Sequence, residues 1–140
     1  MLIPIKMEKK YFSLNEAENL IPVMQNSINR IKDITKAISL LESIEITSDD
    51  EFKSISNEIM INKSFHKLNF LFFKELEQLL KSGAVIKDPN EGLVDFYSFY
   101  EGREIFLCWK LGEKDIKFWH EISTGYSSRK PIALLRKNSN

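Results

Sequence analysis

The sequence predicts an α+β fold in which a long antiparallel helical hairpin is followed by a small, mostly antiparallel β-sheet. In the first half, apolar residues recur at steps of three and four, which is typical of helices packed lengthwise. After Gly83 the apolar period changes to two, which is typical of strands. Two such alternating segments flank Glu101 and Gly102, and a two-residue connection that ends in glycine predicts a β-hairpin.

The chain has 140 residues, about the length of one domain. We therefore predict a single domain over 1–140, with the helical hairpin at 13–82, the sheet region at 83–122, and a loop and basic tail at 123–140. Twenty basic and twenty acidic residues give zero net charge. This balance argues against a nucleic-acid partner, whose binding proteins carry a basic excess.

The compartment that the sequence predicts is the cytoplasm. The single cysteine excludes an internal disulfide and fits a reducing environment. The N-terminal residues lack the apolar run of a signal peptide, and no stretch approaches the roughly 20 apolar residues of a membrane span. We expect no membrane association.

The first helix is predicted to begin at Ser13, because Ser13 and Glu16 have the spacing of a capping box. Pro22 should kink this helix or move its effective start to just before residue 22. The apolar seam of the helix is Ala17, Ile21, Met24, Ile28, Ile31 and Ile38.

The second helix is predicted to begin after Ser48 or Asp49 as N-cap and to run to about Ser82, with Gly83 as its stop signal. Its predicted seam slips by about a residue near the middle and consists of Phe52, Ile55, Ile59, Phe65, Leu68, Phe72, Leu76 and Leu79. A strict heptad counted from Phe52 would instead turn Asn62, His66 and Asn69 inward. These three either lie beside the apolar stripe or form a polar layer that fixes helix register.

The tight turn at Glu101 and Gly102 allows the hairpin pairing to be counted. Tyr100 then faces Arg103, and Asp95 faces Cys108 with Lys110 on the diagonal. The face with Val94, Phe96, Leu107 and Trp109 should pack on the helices. Asp95 lies on the opposite face and needs a partner, for which Lys110, Arg103 and Arg129 are the candidates.

The segment from Ile116 to Ile122 alternates as a third strand, with a helical turn from Glu113 as the competing assignment. As a strand it places Ile116, Phe118, His120 and Ile122 on one face and Trp119 and Glu121 on the other. Because neighbouring strand residues point to opposite faces, His120 and Glu121 are not expected to act together.

We expect no metal and no cofactor, since no metal-binding spacing of His and Cys is present. Cys108, between Leu107 and Trp109, is predicted to be a small buried apolar residue. The final residues carry four basic side chains and no acid, which indicates a solvated tail; a phosphate contact by Arg129 is the alternative. These four are Arg129, Lys130, Arg136 and Lys137.

Several motifs resemble a widespread prokaryotic family known as domain of unknown function 2203. They are "YFSLNEAENLIP", "GLVDF", "LCWKLGE", "FWHE" and "GYSSRKPI". Lys110 departs from the family pattern, where arginine is expected. The family has no assigned activity, so the resemblance implies an architecture and a residue cluster only. Its pattern matches Gly92, Asp95, Cys108, Trp109, Gly112, Glu113, Trp119, His120, Gly125, Arg129 and Pro131.

Two functional hypotheses follow. The first is a non-enzymatic binding or interaction domain that forms homo-oligomers, expected to be homodimers, through its helices. The second is a small enzyme or ligand-binding protein whose polar cluster on the sheet holds a small polar or anionic ligand. The candidate polar cluster is Asp95, Lys110, Glu113, His120 and Arg129.

Overall fold

A computed structural model describes residues 8–45 and 49–137 and confirms the α+β fold. Three helices come first, then a sheet whose strands are hydrogen-bonded in chain order, each antiparallel to its neighbour. A short fourth helix ends the described chain. The helices are α1 (Leu14–Asn19), α2 (Ile21–Glu42), α3 (Glu51–Lys81) and α4 (Ala133–Lys137), and the strands are β1 (Val85–Asp88), β2 (Leu93–Tyr100), β3 (Arg103–Lys110), β4 (Phe118–Glu121) and β5 (Lys130–Pro131).

The start of the helical region matches the prediction. Ser13 and Glu16 form a capping box, each side chain accepting the other's backbone N–H at 3.2 Å. The predicted break at Pro22 is also confirmed, because α1 ends at Asn19 and α2 begins at Ile21. Pro22 lies in the first turn of α2, where its missing N–H sacrifices no helical hydrogen bond.

The N-cap of α3 is Asp50, so the prediction of Asp49 is wrong; Ser48, the other predicted cap, lies outside the described residues. Asp50 has the extended backbone of a capping residue, and its carboxylate accepts the N–H of Phe52 at 3.0 Å. At the other end, α3 stops at Lys81, and Gly83 has a positive φ of 96°. That stop agrees with the prediction.

The apolar residues of α3 form two stripes, which corrects the prediction of one slipping seam. The inner stripe faces α2 and the core, and it contains Ile61, Phe65, Leu68, Phe72, Leu76 and Leu79. The outer stripe starts with Phe52, which is 81% exposed. It continues at strict heptad steps and contains Phe52, Ile55, Ile59, Asn62, His66, Asn69 and Phe73, all of them exposed.

The counted register of the hairpin is confirmed for all pairs from Leu93 with Lys110 to Tyr100 with Arg103. One face of β2 and β3 packs on the helices as predicted. The core there contains Val94, Phe96, Leu107 and Trp109 from the sheet, together with a seam residue of α2, Ile28. The opposite face carries Asp95 and Cys108.

The third strand begins later than predicted. β4 starts at Phe118, and the residues from 113 to 117 are neither helix nor strand, so a helical turn from Glu113 is also absent. Ile116 therefore does not share the face of His120. Ile116 is 2% exposed and belongs to the core on the helix side of the sheet. The backbone before Phe118 is not a strand, so its side chains do not alternate between the two faces.

The segment after residue 122 is more ordered than a solvated tail. A 3-10 turn at Tyr126–Ser128 leads into β5, which pairs with β4 through Trp119 and Lys130. This pairing covers the exposed edge that β4 would otherwise present. Among the described helices, none has both the length and the apolar character needed to cross a membrane.

Candidate functional site

Three polar side chains meet in the middle of the sheet face that does not touch the helices. Asp95 on β2 pairs directly with Cys108 on β3, and β4 pairs with β3 so that His120 faces Phe106, two residues before Cys108. The three side chains thus point to one side of the sheet. Each of these residues is at most 2% exposed.

Asp95 and His120 form a buried pair, with Oδ2 of Asp95 3.0 Å from Nε2 of His120. The other ring nitrogen, Nδ1, lies 2.8 Å from the backbone carbonyl of Glu121. A carbonyl oxygen can only accept, so Nδ1 carries a proton and a second proton bridges Nε2 and the carboxyl group. Burial raises the pKa of Asp95 above its ordinary value, and the attraction of His120 acts in the opposite direction.

His120 takes the place of the partners that the sequence suggested for Asp95. The ammonium of Lys110 points instead to Glu91, at 3.8 Å. Arg103 donates to Glu121 at 2.7 Å. The prediction of the Asp95 partner was wrong because the register between β3 and β4, which brings His120 beside Asp95, is not set by a short turn.

Glu113 and Arg129 form a second ion pair, at 3.2 Å, with both side chains largely shielded from solvent. Two bonds fix Glu113 at the end of β3. Its carboxylate accepts the backbone N–H of Lys110 at 2.6 Å, and its backbone carbonyl accepts the indole N–H of Trp109 at 2.8 Å. The Arg129 guanidinium lies 4.1 Å from the ring centre of Phe118, so Arg129 is not part of a solvated tail.

The predicted polar cluster is therefore two pairs on one face rather than one network of five charges. The structure pairs Asp95 with His120, and Glu113 with Arg129. Lys110 takes part only through its backbone N–H, which donates to Glu113, and its ammonium lies near Glu91. Cys108, left out of the predicted cluster, is the residue between the pairs. Its direct cross-strand position opposite Asp95 was the signal that could have included it.

The Cys108 thiol is buried, and burial together with the neighbouring Asp95 raises its pKa to about 12. We expect a thiol reagent at mildly alkaline pH to modify Cys108 in the folded protein about a thousandfold more slowly than in denaturant. The physical reason is that only the thiolate reacts and that the reagent must wait for local opening. Stopped-flow or mass-spectrometric labelling measures this ratio. Equal rates in the two states would contradict a structural, inaccessible thiol.

A comparison with family models places these residues in a wider context. A family described as "Uncharacterized conserved protein (DUF2203)" matches residues 10–132. The chain belongs to this family. The DUF2203 match includes both ion pairs and Cys108 and stops just before α4. No match was found among curated proteins or among solved structures.

Proposed function

We propose that this DUF2203 protein is a non-enzymatic interaction domain that self-associates through α3. The observation that carries the proposal is the outer stripe of α3. Its apolar members include Phe52, Ile55 and Ile59, which are 81%, 51% and 55% exposed. Residues at strict three- and four-residue steps on one helix are the pattern that packs against a second helix.

Nothing among the described residues covers the beginning of α3. Leu41 at the C-terminal end of α2 and Ile44 just after the helix line the same groove as Ser64 and Leu68 of α3. All residues of α3 from 51 to 60 except Ser54 are exposed, so this first part of the helix extends beyond α2. At 1.5 Å per residue, it is roughly 15 Å of helix with apolar residues on the outside. A second copy of the chain offers an equal and complementary stripe.

The polar members of the outer stripe support a specific helix pairing. Asn62 and His66 interrupt the apolar heptads, and polar residues at such positions fix register at some cost in affinity. Glu58 and Lys63 flank the stripe at the positions that form salt bridges between the helices of a parallel pair. Glu58 of one copy then meets Lys63 of the other, so we propose a parallel, in-register arrangement.

Replacing Ile59 with glutamate should convert a dimer into a monomer. Burying one isoleucine contributes about 1.5–3 kcal/mol, and a symmetric interface loses this twice, so dissociation becomes at least about a hundredfold easier. Multi-angle light scattering at high micromolar concentration measures the mass. Met60→Glu is the matched control, because Met60 is 65% exposed on the same helix but lies off the stripe. A monomeric unmodified protein, or equal effects of both variants, would refute the proposal.

The helix orientation has its own test. Lys63→Glu should weaken the dimer, because it places two acids opposite each other, and adding Glu58→Lys should restore it. Analytical ultracentrifugation at low salt gives the three dissociation constants, since such pairs are screened by salt. If the double variant dimerises no more tightly than Lys63→Glu, the parallel arrangement is excluded. The Ile59→Glu experiment then still tests separately whether α3 forms the interface.

A further inference from the structure

We propose that Asp95, Cys108 and His120 form a buried binding site for one divalent transition-metal ion of the zinc type. A carboxylate oxygen, the thiol sulfur and an imidazole nitrogen of these residues lie within 4.8 Å of one another. Bonds of about 2.0–2.3 Å from one ion would reach all three atoms once the side chains close in by about 1 Å, because two ligands of a tetrahedral ion lie roughly 3.5 Å apart. The inference concerns the sheet and is independent of the association proposed for α3.

An unsatisfied atom points to a missing partner at this place. Among the described residues, no well-formed hydrogen bond reaches Oδ1 of Asp95, which is buried, whereas Oδ2 contacts His120. The neighbouring Cys108 thiol only partly compensates, because burial still raises the pKa of Asp95. Buried carboxyl oxygens are normally satisfied, because an unpaired one loses its hydration without compensation. A cation beside Asp95 would supply that partner.

The orientation of His120 suits a metal ligand. Its Nδ1–H donates to the backbone carbonyl of Glu121 at 2.8 Å. This bond holds the ring and directs Nε2 toward Asp95 and Cys108. Metal-binding histidines almost always donate their second ring N–H in this way, which fixes the tautomer and makes the free nitrogen a better ligand.

Charge balance favours a divalent ion. A thiolate and a carboxylate together carry two negative charges, so a divalent cation makes the buried site neutral. Binding forms bonds from the ion to sulfur, nitrogen and oxygen. It releases two protons, the thiol proton of Cys108 and the proton that bridges Asp95 and His120.

Two cations border the site. Burial raises the pKa of Cys108, and Arg129 lowers it. Burial also raises the pKa of Asp95, and Lys87 lowers it. Each cation also has another contact, because Glu113 pairs with the guanidinium of Arg129 and the ammonium of Lys87 lies over the ring of Phe106, 4.7 Å from its centre. The Glu113 carboxylate offsets the charge of Arg129 beside the site.

The ligand types select the metal. Thiolate and imidazole suit Zn²⁺ and Co²⁺, whereas Mg²⁺ and Ca²⁺ prefer all-oxygen sites. Three protein ligands leave a fourth position for a water molecule. Because the site is shielded from solvent, uptake must wait for local opening of the sheet and should be slow.

Titration of the chelator-treated full chain with Co²⁺ tests the site. We expect one equivalent to bind slowly, with visible bands of tetrahedral cobalt and a near-ultraviolet thiolate-to-cobalt band. Cys108 is the only cysteine of the chain, so that charge-transfer band has only one source. Two protons should be released per ion, as measured with a pH indicator in weakly buffered solution.

Matched variants separate this site from chance binding. Cys108→Ser should lose the thiolate band, whereas His66→Gln should keep it, because His66 is exposed on α3. A titration of the unmodified protein without a thiolate band overturns the proposal even if Cys108→Ser fails to fold. Cobalt binding that disappears in His66→Gln also overturns it, because the ion is then held at the surface of α3.

Discussion

Replacing His120 with alanine should lower the free energy of unfolding of the metal-free protein by about 3–5 kcal/mol. The imidazole and the Asp95 carboxyl are both buried and lie 3.0 Å apart. Removing one partner of such a pair leaves the other polar group buried without a hydrogen-bond partner, which strongly destabilises the folded state. Denaturant unfolding in the presence of a chelator measures the loss and keeps any metal effect out of the comparison.

A double replacement separates the pairing from simple loss of volume. Asp95→Val combined with His120→Leu removes both polar groups and keeps most of the volume. Such exchanges of a buried pair for apolar residues are often neutral or stabilising, so the double variant should regain most of the stability lost by His120→Ala. A double variant as unstable as the sum of Asp95→Val and His120→Leu would show that the two groups are not coupled.

The conservative change Asp95→Asn should be mild by the same reasoning. An asparagine amide can donate to Nε2 of His120 while Nδ1 keeps its bond to Glu121. A loss for Asp95→Asn as large as that for His120→Ala would indicate that the carboxyl itself, rather than its hydrogen bond, stabilises the sheet.

The hairpin of β2 and β3 could be predicted residue by residue because its turn has two residues. A turn of that length fixes which residues are opposite, and the alternation of side chains then fixes the faces. Asp95 and Cys108 were placed together in this way. The sequence also predicts His120 in one polar cluster with Asp95, but not that the two pair directly, because about seven residues connect β3 to β4 and allow several registers.

The two stripes of α3 could not be resolved from the sequence for a different reason. A helix with apolar residues on two sides gives one mixed pattern, and Phe52 and Phe65 look equivalent in it. Only the position of α2 decides that Phe65 faces inward and Phe52 outward. The basic composition of the segment after Ser123 predicts solvation. In the structure, Lys130 and Pro131 pair with the edge of β4, and Arg129 forms an ion pair with Glu113.

The second large effect is expected at Trp109. Its side chain is fully buried, and its indole N–H donates to the carbonyl of Glu113 at 2.8 Å. Trp109→Ala should cost about 3–5 kcal/mol of unfolding free energy through the cavity it leaves. Calorimetry or denaturant unfolding measures the loss. Trp109→Ala also removes the bond to the Glu113 carbonyl, so it should loosen the turn that holds Glu113 against Arg129 on the sheet face away from the helices.

The two tryptophans of the chain provide an internal control for the hydrogen bond. Trp119 is 3% exposed, and within the described part of the chain its buried indole N–H has no hydrogen-bond partner. Trp109→Phe therefore loses a bond and leaves the Glu113 carbonyl unsatisfied, at about 1–3 kcal/mol beyond the packing loss. Trp119→Phe removes an unsatisfied group instead and should cost distinctly less. Equal losses for the two variants would mean that the bond to Glu113 does not stabilise the turn.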